Sequence, residues 1–457
     1  MLGPDEPRYA AIGRAMAQSG DFITPKLWGS PWFEKPPLLY WMTAAGSAAG
    51  LNRELSGRLP VAIFSLLFLA ACFFLLRREF GIEAAAVSAA LLATSAGWIT
   101  YSELCLTDLP LAVFFSLAAL LALPLLRDKP HTVHLAWRFL AIGCCLGLAS
   151  LAKGLVPVAL ALPFLWFLRQ YWRNWWIAIL AAALVALPWY LAVYLRNGFP
   201  FIQDFFLKQH FERLYSASLQ HVQPWYYYFP VLLAGLFPWT PLLALFALRD
   251  NSWDTRRRFL STLCVFGLLI FSVILNKLPG YLLPLFPSLF VLLGAQFEHR
   301  RLIDVSRYWL LPSALLIALV PLLAPALPAS LAAGRFSLNT LTVTNRAEWF
   351  FILAPLAIIV LARRSWVGVL LVLCIVFDGI YLKQIAYPIL DNDVSARVLW
   401  RKTKDLPGRL CDGGTNRNWI YGLSFYREAA IPFCSEGQFD FVIRSRNHQP
   451  PVIEPLK

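Results

Sequence analysis

Apolar runs recur along this chain at 59–76, 84–100, 109–126, 135–152, 155–168, 174–195, 225–248, 259–275, 281–295, 309–327, 349–361 and 367–387, separated by polar connections. A helix needs roughly 20 apolar residues to cross the hydrocarbon core of a bilayer, so the pattern predicts twelve transmembrane helices. Ahead of the first run, residues 9–16 carry helical spacing up to Gly20, and 38–42 resume it after Pro36 and Pro37. Two amphipathic helices lying on the membrane surface fit this pattern, joined by a hairpin-like stretch at 22–33. Beyond residue 388 the chain turns polar, with strand-like pieces at 419–426 and 439–444. The reading divides the chain into an external segment (1–58), a transmembrane domain (59–388) and a small α/β domain (389–457).

Composition agrees with a polytopic, all-α membrane protein. Of 457 residues, 59% are hydrophobic and 14% charged, and the mean hydropathy is +0.60, which excludes a set of ordinary soluble domains. The net charge of +14 would point to nucleic acid in a soluble chain. Here the arginines decide otherwise. Arg77/Arg78, Arg127/Arg138, Arg169/Arg173, Arg256/Arg257/Arg258, Arg300/Arg301 and Arg363/Arg364 fall in every second connection, which marks the cytoplasmic face and implies no nucleic-acid partner. Residues 1–58 and the tail are then extracytoplasmic. Because Met1–Pro4 is neither a signal peptide nor a span, the reading expects a further transmembrane helix upstream, a thirteenth. Six of the eight cysteines lie in or beside apolar runs; Cys411 and Cys434 lie in the polar tail, as a disulfide or as two free thiols.

The outer face gathers ionisable groups from separate segments: Asp5, Glu6 and Arg8; Glu34 and Lys35; Asp108; Lys153; His210, Arg213 and His221; and Lys277 with Tyr281. An unpaired charge costs about 2.5–3.5 kcal/mol at the centre of a span and less near the interface, so charges kept at span ends need partners or a task. Carboxylates that accept a proton, combined with cations that hold a leaving phosphate, suit group transfer from a phosphorylated lipid. Plainer readings exist for each. Asp5 and Glu6 suit a helix N-terminus, Glu34 and Lys35 an exposed ion pair, Lys153 and Lys277 interfacial anchors, and "PWYYYFP" (224–230) an aromatic belt.

Taken in order, "DEPRYAAIGRAMAQSGDFITP", "FEKPPLLYW", "TDLP", "LAKG" and "KLPGYLLP" resemble the bacterial membrane glycosyltransferases of the GT-C type, including the lipid A aminoarabinose transferases and relatives of the protein O-mannosyltransferases. The resemblance runs over roughly residues 4–290. It implies a helix ahead of the acidic motif, a polyprenyl-phosphate sugar donor, and transfer with inversion to a lipid A-like glycolipid, a polysaccharide or a protein. By motif position Asp5 is implied as the general base with Glu6 beside it, and Asp108 as a second external acid. Arg8, Lys35 and Tyr281 are implied as lipid-phosphate ligands, with Arg213, Lys277 and Lys153 as further cations. Glu34 resembles a residue that binds a divalent metal together with a histidine, here His210 or His221; no nucleotide is implied. The competing class is a transporter or flippase of such lipids, and a third is a scaffold of an envelope complex. Transporters place charges at the bilayer midplane in paired repeats, whereas these gather at one face.

Overall fold

The computed structural model describes residues 1, 3–128, 134–212, 222–247, 253–296, 310–324, 346–363, 366–446 and 449–456. In their described residues all twelve apolar runs are helical, some of them broken into two helices. Among the described residues, five helices are long and apolar enough to cross a membrane, or seven if each bent pair is one span. Backbone hydrogen bonds closed within each segment are what a bilayer demands of a spanning chain.

The first segment comprises α1 (Asp5–Ser19), a short hairpin of β1 (Lys26–Leu27) and β2 (Ser30–Pro31), and α2 (Leu38–Ala48). The antiparallel register Lys26↔Pro31 places the turn where the sequence suggested it. A left-handed Gly20 closes α1, as only glycine does without strain. The surface-lying amphipathic helix expected at 9–16 is instead buried on almost every side, from Glu6 through Arg14. It lies between α2, the first span α3 (Leu55–Leu76) and the C-terminal domain. Gly13 permits the α1–α2 contact, because a Cβ there would stand 2.5 Å from Thr43 Cβ.

Next come α4 (Gly81–Ala93) and α5 (Ala96–Ser102), bent by 64°. They are followed by α6 (Asp108–Ala122), α7 (Leu135–Lys153), α8 (Val156–Phe167, kinked) and α9 (Trp175–Asn197). A bent pair, Trp225–Gly235 with Thr240–Phe246, and the helices α10 (Thr255–Val273), α11 (Phe286–Ala295), α12 (Leu311–Leu323), α13 (Arg346–Leu361) and α14 (Val367–Val394) follow in the described bundle. The small helices and strands beyond it are α15 (Ala396–Thr403), β3 (Leu410–Asp412), α16 (Arg417–Arg427), β4 (Phe441–Arg446) and β5 (Gln449–Pro455). β3 pairs parallel with β4, β4 pairs antiparallel with β5, and a Cys411–Cys434 disulfide joins β3 to the following turn. The strand expected at 419–426 is a helix: Asn416 caps it by accepting from the Asn418 N–H, and Trp419, Ile420 and Leu423 share the face packed into the domain core.

Two buried carboxylates, Glu6 and Glu79, and the half-buried Glu54 hold these parts together. Glu6 accepts two hydrogen bonds from Arg58 of α3, at 2.6 and 2.7 Å, and one from the Cys105 N–H at 3.3 Å. At the other end of the bundle Glu79 takes Arg127 in a bidentate pair at 2.8 and 2.9 Å, with Arg256 at 3.5 Å. Glu54, just before α3, pairs with Arg397 and accepts from the Tyr426 hydroxyl at 2.5 Å, tying the C-terminal domain to the first span. Burial pushes the Glu54 pKa up, but Tyr426 and Arg397 outweigh it and hold the carboxyl below its usual 4.5.

Two outcomes follow. Glu6→Ala leaves Arg58 without its carboxylate and is expected to cost about 3–5 kcal/mol, read as a fall in thermal stability in detergent. Because the folded-state pKa of Glu54 is depressed, its contribution is present above about pH 4.5 and is lost as pH falls through the lowered value. Hydrogen exchange in 417–427, normalised for its intrinsic pH dependence, should rise on acidification in the wild type and already be raised at neutral pH in Glu54→Gln. Equal protection in both at neutral pH would remove Glu54 as the tie.

Candidate active site

The start of α1 and the hairpin meet at Arg8. Its guanidinium donates to Glu34 at 2.8 Å, to Asp5, and to the Pro4 carbonyl at 3.0 Å. Three aromatic rings surround it: Trp32 at 5.4 Å, Tyr421 of α16 at 5.0 Å and Tyr9 at 5.9 Å. Burial works against the Arg8 charge, but Glu34, Tyr9 and Asp5 more than offset it, so Arg8 stays cationic. Burial, then Glu34 and Asp5, push the Tyr9 hydroxyl well above its usual range, which keeps it a neutral donor to Glu34 at 3.2 Å. Asp5 is the more open carboxylate, with its side chain 37% exposed against 12% for Glu34.

Glu34 is therefore a hub. It accepts from Arg8, Tyr9 and, at 3.3 Å, the Trp32 indole, and it lies 3.5 Å from the Lys35 ammonium. The prolines after Lys35 start α2 and turn the pair inward, so that both side chains are almost buried. This is not the exposed ion pair of the plainer reading.

A second cluster sits at the start of α6. Asp108 accepts from Lys153, the last residue of α7, at 2.5 Å, and the same ammonium lies 4.5 Å from the centre of the Tyr281 ring. Gly280 makes the cluster possible: a Cβ there would meet Asp108 Oδ1 at 2.6 Å and the Tyr101 hydroxyl at 2.7 Å. Lys277 turns elsewhere, donating to the Ile274 and Gln223 carbonyls at 2.5 and 3.0 Å.

Both clusters open into one cavity of about 600 Å3. Its polar end holds Glu34, Lys35, Lys153, Gln209 and Tyr281. Its remaining wall is apolar, with Pro36, Leu111 and Phe205 beside residues of and next to α8 and α10 between Leu155 and Leu160 and between Phe266 and Ile274.

The structure thus brings Asp5, Arg8, Glu34 and Lys35 together, and Asp108, Lys153 and Tyr281 together. It commits Glu6 to Arg58 instead, away from any open position. Arg213 and His221 lie outside the described residues, as does the side chain of His210. Among the described residues no group of three or more His, Cys, Asp or Glu side chains suits a metal ion. Glu34, saturated by donors and faced by two cations, does not fit a metal ligand as it stands, so no step is derived through one. Sequence reasoning missed Trp32, Tyr421 and Gln209. The first two were legible only as aromatics in polar segments.

Residues 2–199 match the family of dolichyl-phosphate-mannose-protein mannosyltransferases. An undecaprenyl phosphate-α-4-amino-4-deoxy-L-arabinose arabinosyl transferase of Pseudomonas aeruginosa UCBPP-PA14 is 34% identical over 311 residues, which cover 65% of this chain and 56% of that protein. A Pseudomonas fluorescens Pf0-1 transferase of the same description is 33% identical, over 66% and 57%. The chain thus spans little more than half the length of these curated relatives. The crystal structure of ArnT from Cupriavidus metallidurans bound to undecaprenyl phosphate superposes with a TM-score of 0.74, at 22% identity, over 98% of this chain and 89% of that one. In fold the chain is like that ArnT crystal structure, and in sequence it resembles the undecaprenyl-phosphate aminoarabinose transferases and, over residues 2–199, the protein mannosyltransferases.

Proposed function

We propose that this protein moves a sugar from a polyprenyl-phosphate donor to an acceptor hydroxyl at the extracytoplasmic face of a bacterial inner membrane. One observation carries the reading: a cavity with cations at one end and hydrocarbon along the rest matches a phosphate on an isoprenoid tail. The relatives' donor, named as an undecaprenyl phosphate sugar, has that form. The concentration of charge at one end of the cavity favours a transferase over a transporter.

In this reading Lys35 and Lys153 meet the phosphate, and their ammoniums stabilise the charge that grows on it as the glycosidic bond breaks. Tyr281 orients Lys153 through its ring face, and Asp108 holds the same ammonium from the other side. Asp5 accepts the proton of the incoming hydroxyl, which attacks the anomeric carbon from the side opposite the phosphate and inverts it. Arg8 holds Asp5 in position, and Glu34 keeps Arg8 in place. The acceptor is a glycolipid, polysaccharide or protein hydroxyl, and no nucleotide takes part on this face. Tyr421 brings the C-terminal domain over Arg8, where it covers the acceptor side.

Transfer from a radiolabelled undecaprenyl-phosphate sugar in membranes tests the assignments. Asp5→Asn should lower the rate by about 10²–10⁴ while lipid-phosphate binding persists. Lys35→Ala should lower it by about 10²–10³ and weaken that binding. Full turnover in Asp5→Asn would assign the base elsewhere; lipid binding without transfer by the wild type, across a panel of sugars, would favour a transporter. Tyr421→Ala should reduce kcat/KM by about threefold, the worth of one cation–π contact of ~0.5–1 kcal/mol. An unchanged value would leave the C-terminal domain as a scaffold.

A further inference from the structure

A second polar cavity lies at the opposite end of the bundle from Glu34 and Lys35. It encloses about 480 Å3 between the end of α6, the end of α8 and the start of α10. The helix α6 sets the separation: Asp108 begins it, and Arg127 follows the 3-10 turn that extends it to Leu126. At 1.5 Å per residue the two sites stand about 28 Å apart.

Three guanidiniums, from Arg127, Arg169 and Arg258, line this cavity against one carboxylate, Asp128. Arg127 is already satisfied by Glu79 and the Arg78 carbonyl. Arg169 lies over the Trp166 ring at 4.5 Å, and neither it nor Arg258 has an acidic partner among the described residues. Two exposed guanidiniums on one cavity, without an acidic partner among the described residues, suit a tetrahedral oxyanion, which accepts paired N–H donors. On the α8 side the rim is apolar and open: Trp166 is 68% exposed, with Leu162 and Leu165 about half exposed beside it. A soluble anion has no use for such a rim, whereas a lipid lays its acyl chains along it.

We propose that this cavity binds the phosphate headgroup of an anionic phospholipid, held by Arg169 and Arg258 with its chains against Trp166 and Leu165. The position gives the headgroup a structural consequence. It bridges α8 and α10 at one end, and the same two helices form the apolar wall of the larger cavity towards the other. Basic pockets between spans on the arginine-rich side of a membrane protein recognise anionic headgroups by this chemistry.

The test uses the full chain in nanodiscs of phosphatidylcholine alone and of phosphatidylcholine mixed with phosphatidylglycerol, with retained lipid read by native mass spectrometry. Wild type should retain phosphatidylglycerol over phosphatidylcholine, and the double variant Arg169→Gln/Arg258→Gln should lose that preference by about tenfold. Arg173→Gln, which removes an arginine of the same face outside the cavity, should keep it. Equal melting temperatures of wild type and double variant in phosphatidylcholine alone show that the variant is folded. A preference unchanged in the double variant, or lost equally in Arg173→Gln, overturns the site. Inorganic phosphate that raises the melting temperature of wild type but not of the double variant, without any phospholipid preference, overturns the lipid and leaves a soluble phosphate as the occupant.

Discussion

The ion pair between Arg8 and Glu34 organises one end of this molecule. Both side chains are nearly buried, and an unpaired charge in such a place costs several kcal/mol, so each is obliged to keep its partner. That obligation fixes the first turn of α1 against the hairpin, and the remaining contacts follow from it. Tyr9 and Trp32 fill the other acceptor sites of Glu34, Asp5 takes the second arm of the Arg8 fork, and Tyr421 closes over the guanidinium from another domain. The pair connects the hairpin, the first helix, the C-terminal domain and the mouth of the cavity. A change at either residue would be felt in all four.

The same economy of charge appears at the other tie points. Glu54 and Glu79 flank the apolar helix α3, Glu6 sits in the first turn of α1, and each takes an arginine from a distant segment. In water such pairs contribute little, but at the edge of a bilayer the alternative to pairing is an unsatisfied charge, which is why these contacts define the packing of the bundle. Carboxylates next to each other in sequence then differ in how fully they are enclosed. Asp5 keeps an open side, whereas Glu6, its neighbour in sequence, is sealed by Arg58.

The cavity depends on a different constraint, the absence of side-chain volume at one position. Gly280 leaves room for Asp108 and Tyr101, which lets Lys153 come between Asp108 and the Tyr281 ring. Four chain segments from 101 to 281 meet there, and a single methyl group would separate them.

By itself the sequence determined the mostly helical architecture with its long apolar helices, because the hydropathy that marks them is written locally in each run. It also singled out segments that the fold brings together, since "DEPRY", "FEKPP", "TDLP", "LAKG" and "KLPGY" all contribute to the two clusters. What each charge does was settled only by the tertiary structure. Asp5 and Glu6 are adjacent acids on one helix, and their different fates come from Arg58, more than fifty residues away. Lys277 and Lys153 both end apolar runs, yet one is spent on backbone carbonyls and the other faces the cavity. The helix at 417–427 and its Tyr421 were illegible for the same reason: an alternation of aromatic and polar residues suits a strand or a helix equally until a core exists to choose. Pairing between distant segments has no local signature, so only the folded chain decides which carboxylate is sealed and which stays open.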